Sequence, residues 1–233
     1  MKSILRKIRG RLFAGLAQKQ DIDLLSDRLY DGLYDQLNGL LQIQNAMKGL
    51  PVLRPMRGWA ISPDAMAWVL ADLQERESPT VIEFGSGQST VILAAALKHS
   101  GGRLLSVEHD PEYSKVIQRQ VAASGLSDWV DFVSSSLLES KEDAPIISYD
   151  TSQLPDIGID VALIDGPPIS ICGADTRYVP LHWSASHLNQ GGAIFLDDSN
   201  RTSEQNCLAK LAEKYPALTR HERRAEKGLV ELR

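Results

Sequence analysis

A chain of 233 residues, 43% hydrophobic and 24% charged, holds enough apolar material for one sizeable core and lies near the upper size of a single domain. Its net charge of −5 is unevenly spread, with +6 over residues 1–20 and −11 over the remainder, so the body is not expected to partner nucleic acid. With 17 Gly and 11 Pro the chain is neither collagen-like nor low-complexity, and its best apolar run, Val91 to Leu97, falls far short of the roughly 18 residues that a membrane-spanning helix needs. Two cysteines, Cys172 and Cys207, form no CxxC or Cys/His cluster, which excludes a disulfide framework or zinc site and points to a reducing, cytoplasmic compartment.

In residues 1–20 the apolar positions Ile4, Leu5, Ile8, Leu12, Phe13 and Leu16 recur at helical spacing with basic residues between them, which predicts a cationic amphipathic helix. Such a helix either makes peripheral contact with an anionic membrane or docks on its own protein or a partner. No continuous apolar segment followed by a small-residue cleavage site marks it as a secretory signal. Over residues 21–48 the helical period continues through Leu25, Leu29, Leu33, Leu37, Leu40 and Met47, with Asp21, Asp23, Asp27, Asp31 and Asp35 on other faces. This predicts a packed helix or a short coiled-coil seam joining a homo-oligomer, weakened by Gly32 and Gly39. Gly49, Pro51, Pro55 and Gly58 then break the pattern and separate an N-terminal helical extension, residues 1–50, from a main domain, residues 51–233.

From residue 59 onward strand-like and helix-like stretches alternate, as in a parallel sheet covered by helices on both faces. The strands are Thr80–Phe84, Arg103–Glu108, Val130–Val133, Asp160–Ile164 and Ala193–Leu196, and the chain closes with two more around a short turn, Ala217–Arg223 and Gly228–Leu232. Helices are expected over Ser62–Gln74, with Ser62 as N-cap before Pro63, over Thr90–Lys98, over Pro111–Ser124, capped by Asp110 and stopped by Gly125, and over Pro180–Leu188. Thr202 and Gln205 read as a capping box for the helix after residue 201.

The first strand runs into Glu83-Phe84-Gly85-Ser86-Gly87-Gln88-Ser89-Thr90, where two glycines let the backbone turn tightly and approach a ligand at a helix N-terminus. Thr90 stands where a dinucleotide-binding loop has its third glycine. The second strand ends at Glu108-His109-Asp110, with Glu108 placed 21 residues beyond Gly87, near the spacing at which a carboxylate reaches ribose hydroxyls. The fourth ends at Asp165-Gly166-Pro167-Pro168 and the fifth at Asp197-Asp198-Ser199-Asn200-Arg201, so three carboxylates stand at the carboxyl ends of neighbouring strands. Hard oxygen donors in this number suit Mg²⁺. Arg177 and Arg201 are candidates to fork onto an anionic substrate group, or to serve as ordinary ion-pairing residues.

Glu83-x-Gly85-x-Gly87, the acid ending the second strand and Asp165 together resemble the class I S-adenosylmethionine-dependent methyltransferases over roughly residues 59–233. The resemblance implies an α/β, Rossmann-like, doubly wound seven-stranded sheet, mostly parallel with an antiparallel last strand. It implies that S-adenosylmethionine is held by the loop Gly85, Ser86, Gly87, Ser89 and Thr90, by Glu83 at its amino group and by Glu108 with His109 at its ribose. Ser135 and Ser136, after the third strand, correspond to the part flanking adenine, and Asp165 borders the same site. Asp165, Asp197 and Asp198 look like the metal ligands of the metal-dependent O-methyltransferases. The lysine base common three residues after the first ligand in the catechol-type enzymes is here Pro168, which leaves Asp165 or His182 beside Asp197 as catalytic candidates. For His182 and His187 a packed or surface role is the commoner one. The run from Asp165 differs from the Asp/Asn-Pro-Pro-aromatic motif of amino-group methyltransferases by inserted Gly166 and by Ile169 in place of the aromatic.

The expected activity is methyl transfer to a hydroxyl of a small molecule or of a sugar or glycan, since Glu-Phe-Gly-Ser-Gly-Gln-Ser-Thr with Asp-Gly-Pro and Asp-Asp-x-x-Arg is similar to bacterial enzymes that modify such acceptors. Two other readings stand beside it. One is an NAD-dependent oxidoreductase, which the glycine loop and Glu108 suit and Thr90 and Glu83 do not. The other is a scaffold that binds a nucleoside cofactor and assembles through its N-terminal helices.

Overall fold

The computed structural model describes residues 2–48, 55–56, 58–140 and 145–233, with side chains from residue 21 onward. Gly49 and Pro51, two of the expected breakers, lie outside the described residues, as do the side chains of the amphipathic pattern over residues 1–20.

The two helical patterns at the start of the chain form one helix, α1 (Lys2–Ala46), about 67 Å long at the α-helical rise. Among the described residues its C-terminal part meets the body, through buried Gly39 and Ile43, as does Met47 just beyond its end. Gly39 is there for close approach. A Cβ at this position would overlap the backbone of Pro63 and Asp64, where α2 (Pro63–Gln74) begins. Ion pairs from Arg224 to Asp35 at 3.0 Å and to Asp31 at 3.5 Å hold the same stretch to the far end of the chain.

The main domain is a seven-stranded sheet between two helical layers. Its strands are β1 (Thr80–Phe84), β2 (Arg103–Glu108), β3 (Val130–Ser134), β6 (Ile159–Ile164), β7 (Leu188–Asp197), β8 (Arg220–Arg223) and β9 (Leu229–Leu232), in spatial order β3-β2-β1-β6-β7-β9-β8. Only β9 runs antiparallel to the rest, because it pairs antiparallel with both β7 and β8. The helices α3 (Gln88–Ser100) and α4 (Pro111–Ala123) follow β1 and β2, while α6 (Tyr178–His187) precedes β7 and α7 (Thr202–Lys214) follows it. Strand alternation divides the core cleanly. Val81, Val161 and Leu163 face the cluster built with α2, α3 and α4, whereas Ile82, Phe84, Ala162 and Ile164 face the cluster built with α6 and α7. Strands buried on both faces must be apolar along their length, which is why these runs were readable.

Three local differences from the sequence reading have physical causes. β7 starts at Leu188 rather than Ala193, because Asn189-Gln190-Gly191-Gly192 continues alongside β6 across a register shift instead of turning away. The N-cap of α7 is Arg201, and Thr202 is its first helical residue; Gln205 Nε2 donates back to the Ser199 carbonyl, so no capping box forms. A hairpin not expected from the pattern, β4 (Leu137–Glu139) with β5 (Ile147–Tyr149), and a single turn, α5 (Ile169–Cys172), complete the fold. The two cysteines are free and buried, and no described helix is long and apolar enough to cross a membrane.

Candidate active site

β1 has β2 on one side and β6 on the other, so the chain reverses its direction of winding between β1 and β6. Loops leaving the carboxyl ends of such strands splay apart and leave a crevice. Here the crevice is a cavity of about 420 Å³, lined by Gly85 to Ser89, Glu108 to Asp110, Asp165 and Gly166, together with Tyr113, Tyr149, Pro168, Ala60 and buried Ile61, and with exposed Trp59 and Ile171 at its rim. Its size is that of an ordinary small-molecule site.

Gly85 has φ +101°, a conformation that a side chain resists, and a Cβ there would stand 3.1 Å from the Gly166 nitrogen. Two glycines thus allow the β1 and β6 loops to touch. Beneath the loop lies a closed polar knot. The Gly87 N–H donates to Thr90 Oγ1 at 2.8 Å, Thr90 Oγ1 donates to Glu83 Oε2 at 2.6 Å, and Ser106 Oγ donates to the same oxygen at 2.9 Å. Ser86 Oγ closes it onto Ser106 Oγ at 2.7 Å.

Glu83 and Thr90 therefore brace the loop from below and are not among the residues that line the cavity. The reason is the strand period: Glu83 shares the α3 side of the sheet with Val81. Full burial, partly offset by hydrogen bonds from Ser89, Thr90 and Ser106, pushes the Glu83 carboxyl up from the usual 4.5 to about 7. The folded protein then keeps a proton that the unfolded chain has released, so stability falls as pH rises from about 4.5 to 7, by about 3 kcal/mol for this group. Melting temperatures of wild type and Glu83→Gln between pH 5 and 8 should show the variant gaining relative to wild type as pH rises. A constant difference across that range would exclude this protonation.

Glu108 is the pin of the site. Its Oε2 accepts from the Ser86 N–H at 3.1 Å, and its Oε1 accepts from the N–H groups of His109 at 2.8 Å and Asp110 at 2.9 Å. His109 Nδ1 lies 2.8 Å from Oε1, at ion-pair distance but without hydrogen-bond alignment, and this carboxylate is the main reason that the imidazole is raised. Asp110 caps α4 by accepting from the N–H groups of Glu112 and Tyr113, as expected.

Tyr149, which sequence reasoning missed, packs its ring on Phe84 at 5.7 Å and edge-on to His109 at 6.1 Å. Its buried hydroxyl has no hydrogen-bond partner among the described residues, and a Cβ on Gly166 would overlap it. Nothing local signals this residue, because it comes from a three-residue strand in a hairpin whose intervening residues carry no motif.

The three aspartates do come together. One carboxylate oxygen from each of Asp165, Asp197 and Asp198 lies within 4.8 Å of the others, with Asp165 on the cavity wall and Asp197 and Asp198 buried behind it. Asp198 adopts φ +56°, which aspartate tolerates better than most side chains. Buried Arg177 sits inside the cluster rather than reaching a substrate. Its Nη1 donates to the Asp197 carbonyl at 2.8 Å, and its Nη2 donates to the Asp165 carbonyl at 2.8 Å and to Asp198 Oδ2 at 2.9 Å. Arg201 reaches Asp198 Oδ2 at 2.8 Å, and Lys227 stands 3.6 Å from Asp197 and 3.7 Å from Asp198. Desolvation, reinforced by Asp197, holds Asp165 well above the usual carboxylate range, and desolvation with the Asp198 charge raises Asp197.

Ser135, Ser136 and His182 are not part of this arrangement. Ser135 donates its N–H to the Glu108 carbonyl and its hydroxyl to the Asp150 carbonyl, and exposed Ser136 accepts from the Asp150 N–H, so both tie β3 to its neighbours outside the cavity lining. His182 lies with Tyr178 and Tyr215 between α6 and α7, outside both the cavity and the acid cluster.

The family model of the methyltransferase domain matches residues 82–199, half of the chain, and the chain belongs to this family. Its fold is that of the class I S-adenosylmethionine-dependent methyltransferases. It is similar to a methyltransferase from Podospora anserina bound to S-adenosylhomocysteine, with TM-score 0.62 and 14% identity over 90% of this chain and 94% of that one. It is also similar to an O-methyltransferase from Streptomyces achromogenes in complex with S-adenosylmethionine, with TM-score 0.51 and 13% identity over 82% and 88% of the two chains. A third, an O-methyltransferase from Bacillus cereus in complex with S-adenosylhomocysteine, gives TM-score 0.50 and 16% identity over 85% and 90%. No curated protein matches the sequence.

Proposed function

We propose that the protein transfers a methyl group from S-adenosylmethionine to a hydroxyl oxygen of a small-molecule, sugar or glycan acceptor, with Mg²⁺ held by Asp165, Asp197 and Asp198. The observation that carries this reading is that Asp165 belongs at once to the cavity wall and to the three-carboxylate cluster.

The cavity suits the donor. Its lining carries the Glu108 carboxylate beside a loop whose glycine admits close backbone approach, together with the Tyr149 hydroxyl, which has no hydrogen-bond partner among the described residues. The acid cluster suits a hard cation, since both oxygens of Asp197 and Oδ1 of Asp198 accept no hydrogen bond from the described residues. A bound Mg²⁺ would polarise the acceptor hydroxyl and lower its pKa. The residues of the chain do the rest by positioning. Glu108 orders both ligand loops, Arg177 fixes Asp165 and Asp198, and of the two candidate bases only Asp165 faces the cavity. The apolar rim of Trp59 and Ile171 excludes water from one side of the acceptor.

A metal-independent reading is favoured by one observation: Arg177, Arg201 and Lys227 already supply positive charge to the acids. Titration calorimetry with S-adenosylhomocysteine and with NAD, followed by a transfer assay on hydroxylated sugars and phenols in Mg²⁺ or a chelator, separates the readings. The expected result is binding of S-adenosylhomocysteine but not NAD, with turnover lost in chelator, restored by Mg²⁺ and abolished by Asp165→Asn. Turnover that ignores the chelator would remove the metal from the reading, and NAD binding would remove the reading itself.

A further inference from the structure

We propose that Lys227 is a positioning residue that competes with Mg²⁺ for Asp197 and Asp198 and thereby couples the acid cluster to the rim of the cavity; the inference rests on the Mg²⁺-dependent reading. The motivating observation is how the cations divide the oxygens of the two aspartates. Arg177 and Arg201 both approach Oδ2 of Asp198, at 2.9 Å and 2.8 Å. Both oxygens of Asp197 and Oδ1 of Asp198 accept no hydrogen bond from the described residues. Lys227 serves these. Its Nζ lies 3.6 Å from Asp197 Oδ2 and 3.7 Å from Asp198 Oδ1, too far to donate but close enough for charge to act. The oxygens most open to a hard cation are therefore the ones that the ammonium neutralises.

The hydrogen bonds of Lys227 go elsewhere. Nζ donates to the Ala60 carbonyl at 2.8 Å and to the Gly58 carbonyl at 3.3 Å, on either side of Trp59. Trp59, 76% exposed, and Ala60 both line the cavity. The backbone beside Lys227 is fixed independently. The Asn200 N–H donates to the Lys227 carbonyl and the Ser199 N–H to the Gly228 carbonyl, each at 3.2 Å, and the Glu226 N–H donates to Asp64 Oδ2 at 2.8 Å. The turn between β8 and β9 is thus tied to the loop that carries Asp198 and to α2, while the lysine side chain reaches across to the Trp59 turn. A divalent cation on Asp197 and Asp198 repels an ammonium facing the same oxygens. The ammonium is on a flexible four-carbon stem and is 22% exposed, so it is the group that withdraws into water. On withdrawing it releases the carbonyls of Gly58 and Ala60. The coupling is reciprocal: the bonds that hold Lys227 on the turn lower the affinity of the acids for the cation.

Two measurements on the full chain test this, both with S-adenosylhomocysteine present. In calorimetric titration with Mg²⁺, Lys227→Met, which keeps the stem and removes the charge, should bind at least about 10-fold more tightly than wild type, and Lys227→Arg within about threefold of it. A lysine that only held the loop in shape would give the opposite sign, because loosening the segment that carries Asp198 weakens its hold on a cation. The second readout is fluorine NMR of protein labelled with fluorotryptophan, in which the four tryptophans give four resonances and Trp59→Phe assigns that of Trp59. Addition of Mg²⁺ should move the Trp59 resonance in wild type and leave it in place in Lys227→Met, while the other three report that the variant is folded. Equal or weaker Mg²⁺ binding by Lys227→Met, a Trp59 resonance that ignores Mg²⁺ in wild type, or one that moves equally in the variant would overturn the coupling alone. Absence of Mg²⁺ binding in wild type and both variants would overturn the metal-dependent reading and the coupling with it.

Discussion

Glu108→Ala is expected to weaken S-adenosylhomocysteine binding by at least about 100-fold, measured by titration calorimetry. Two losses combine. In the proposed binding mode the ribose hydroxyls of the cofactor lose the Glu108 carboxylate, and hydrogen bonds to a charged partner contribute about 1.5 to 3 kcal/mol each. Two such bonds amount to at least about 3 kcal/mol, or about two decades in affinity. In addition, the N–H groups of Ser86, His109 and Asp110 lose their common acceptor, so the loops after β1 and β2 are no longer held at the same atom. Glu108→Gln incurs both losses without leaving a cavity, because it keeps the volume but removes the charge and turns an NH₂ toward one set of N–H donors. It should bind more weakly than wild type by a similar factor while melting close to Glu108→Ala. Affinity within threefold of wild type in both variants would show that the carboxylate holds loops and not ligand.

The second large effect is on stability. Arg177→Met should lower the melting temperature by about 10 °C, because breaking a buried ion pair from one side costs about 3 to 5 kcal/mol and a domain of this size loses about 2 to 4 °C for each. The guanidinium is at once the donor to two backbone carbonyls and the counter-charge of Asp165, Asp198 and Glu204. Without it Asp165 and Glu204, which its charge now lowers, hold their protons to still higher pH in the folded state. The folded protein then binds more protons than the unfolded chain, so the deficit of the variant should be smaller at pH 5 than at pH 8. Arg177→Lys keeps the charge without the fork and should fall between the two. Arg177→Met/Asp198→Asn should recover part of the loss by removing one stranded charge. A variant that melts within 2 °C of wild type would mean that Lys227 and Arg201 suffice as counter-charges.

The acid cluster shows how far linear spacing carries and where it stops. Asp165, Asp197 and Asp198 were identifiable because acids at the ends of apolar strands are placed by the strands themselves, and parallel strands end at one edge. Glu108 was identifiable for the same reason. Arg177 was visible only as a basic residue closing a Gly/Pro-rich loop. Its burial depends on α6 entering beneath β6 and β7, and no local pattern encodes that. His182 illustrates the converse: a chemically apt side chain within 20 residues of both acids on the chain points toward α7 and Tyr215 instead. Glu83 was placed at the site by its position in the motif, and the alternation of β1 turned it under the loop.

The sequence by itself determined the parallel strands, the turn at Gly85, the cap at Asp110 and the helical period of residues 2–46, because each follows from side-chain periodicity or from the φ and hydrogen-bond needs of single residues. The tertiary structure alone decided that β9 enters between β7 and β8, that Gly39 lies against Pro63, that Arg177 joins the aspartates and that Tyr149 walls the cavity. These are contacts between segments far apart in the chain, chosen by burial and charge compensation over the whole fold, and no window along the sequence contains both partners.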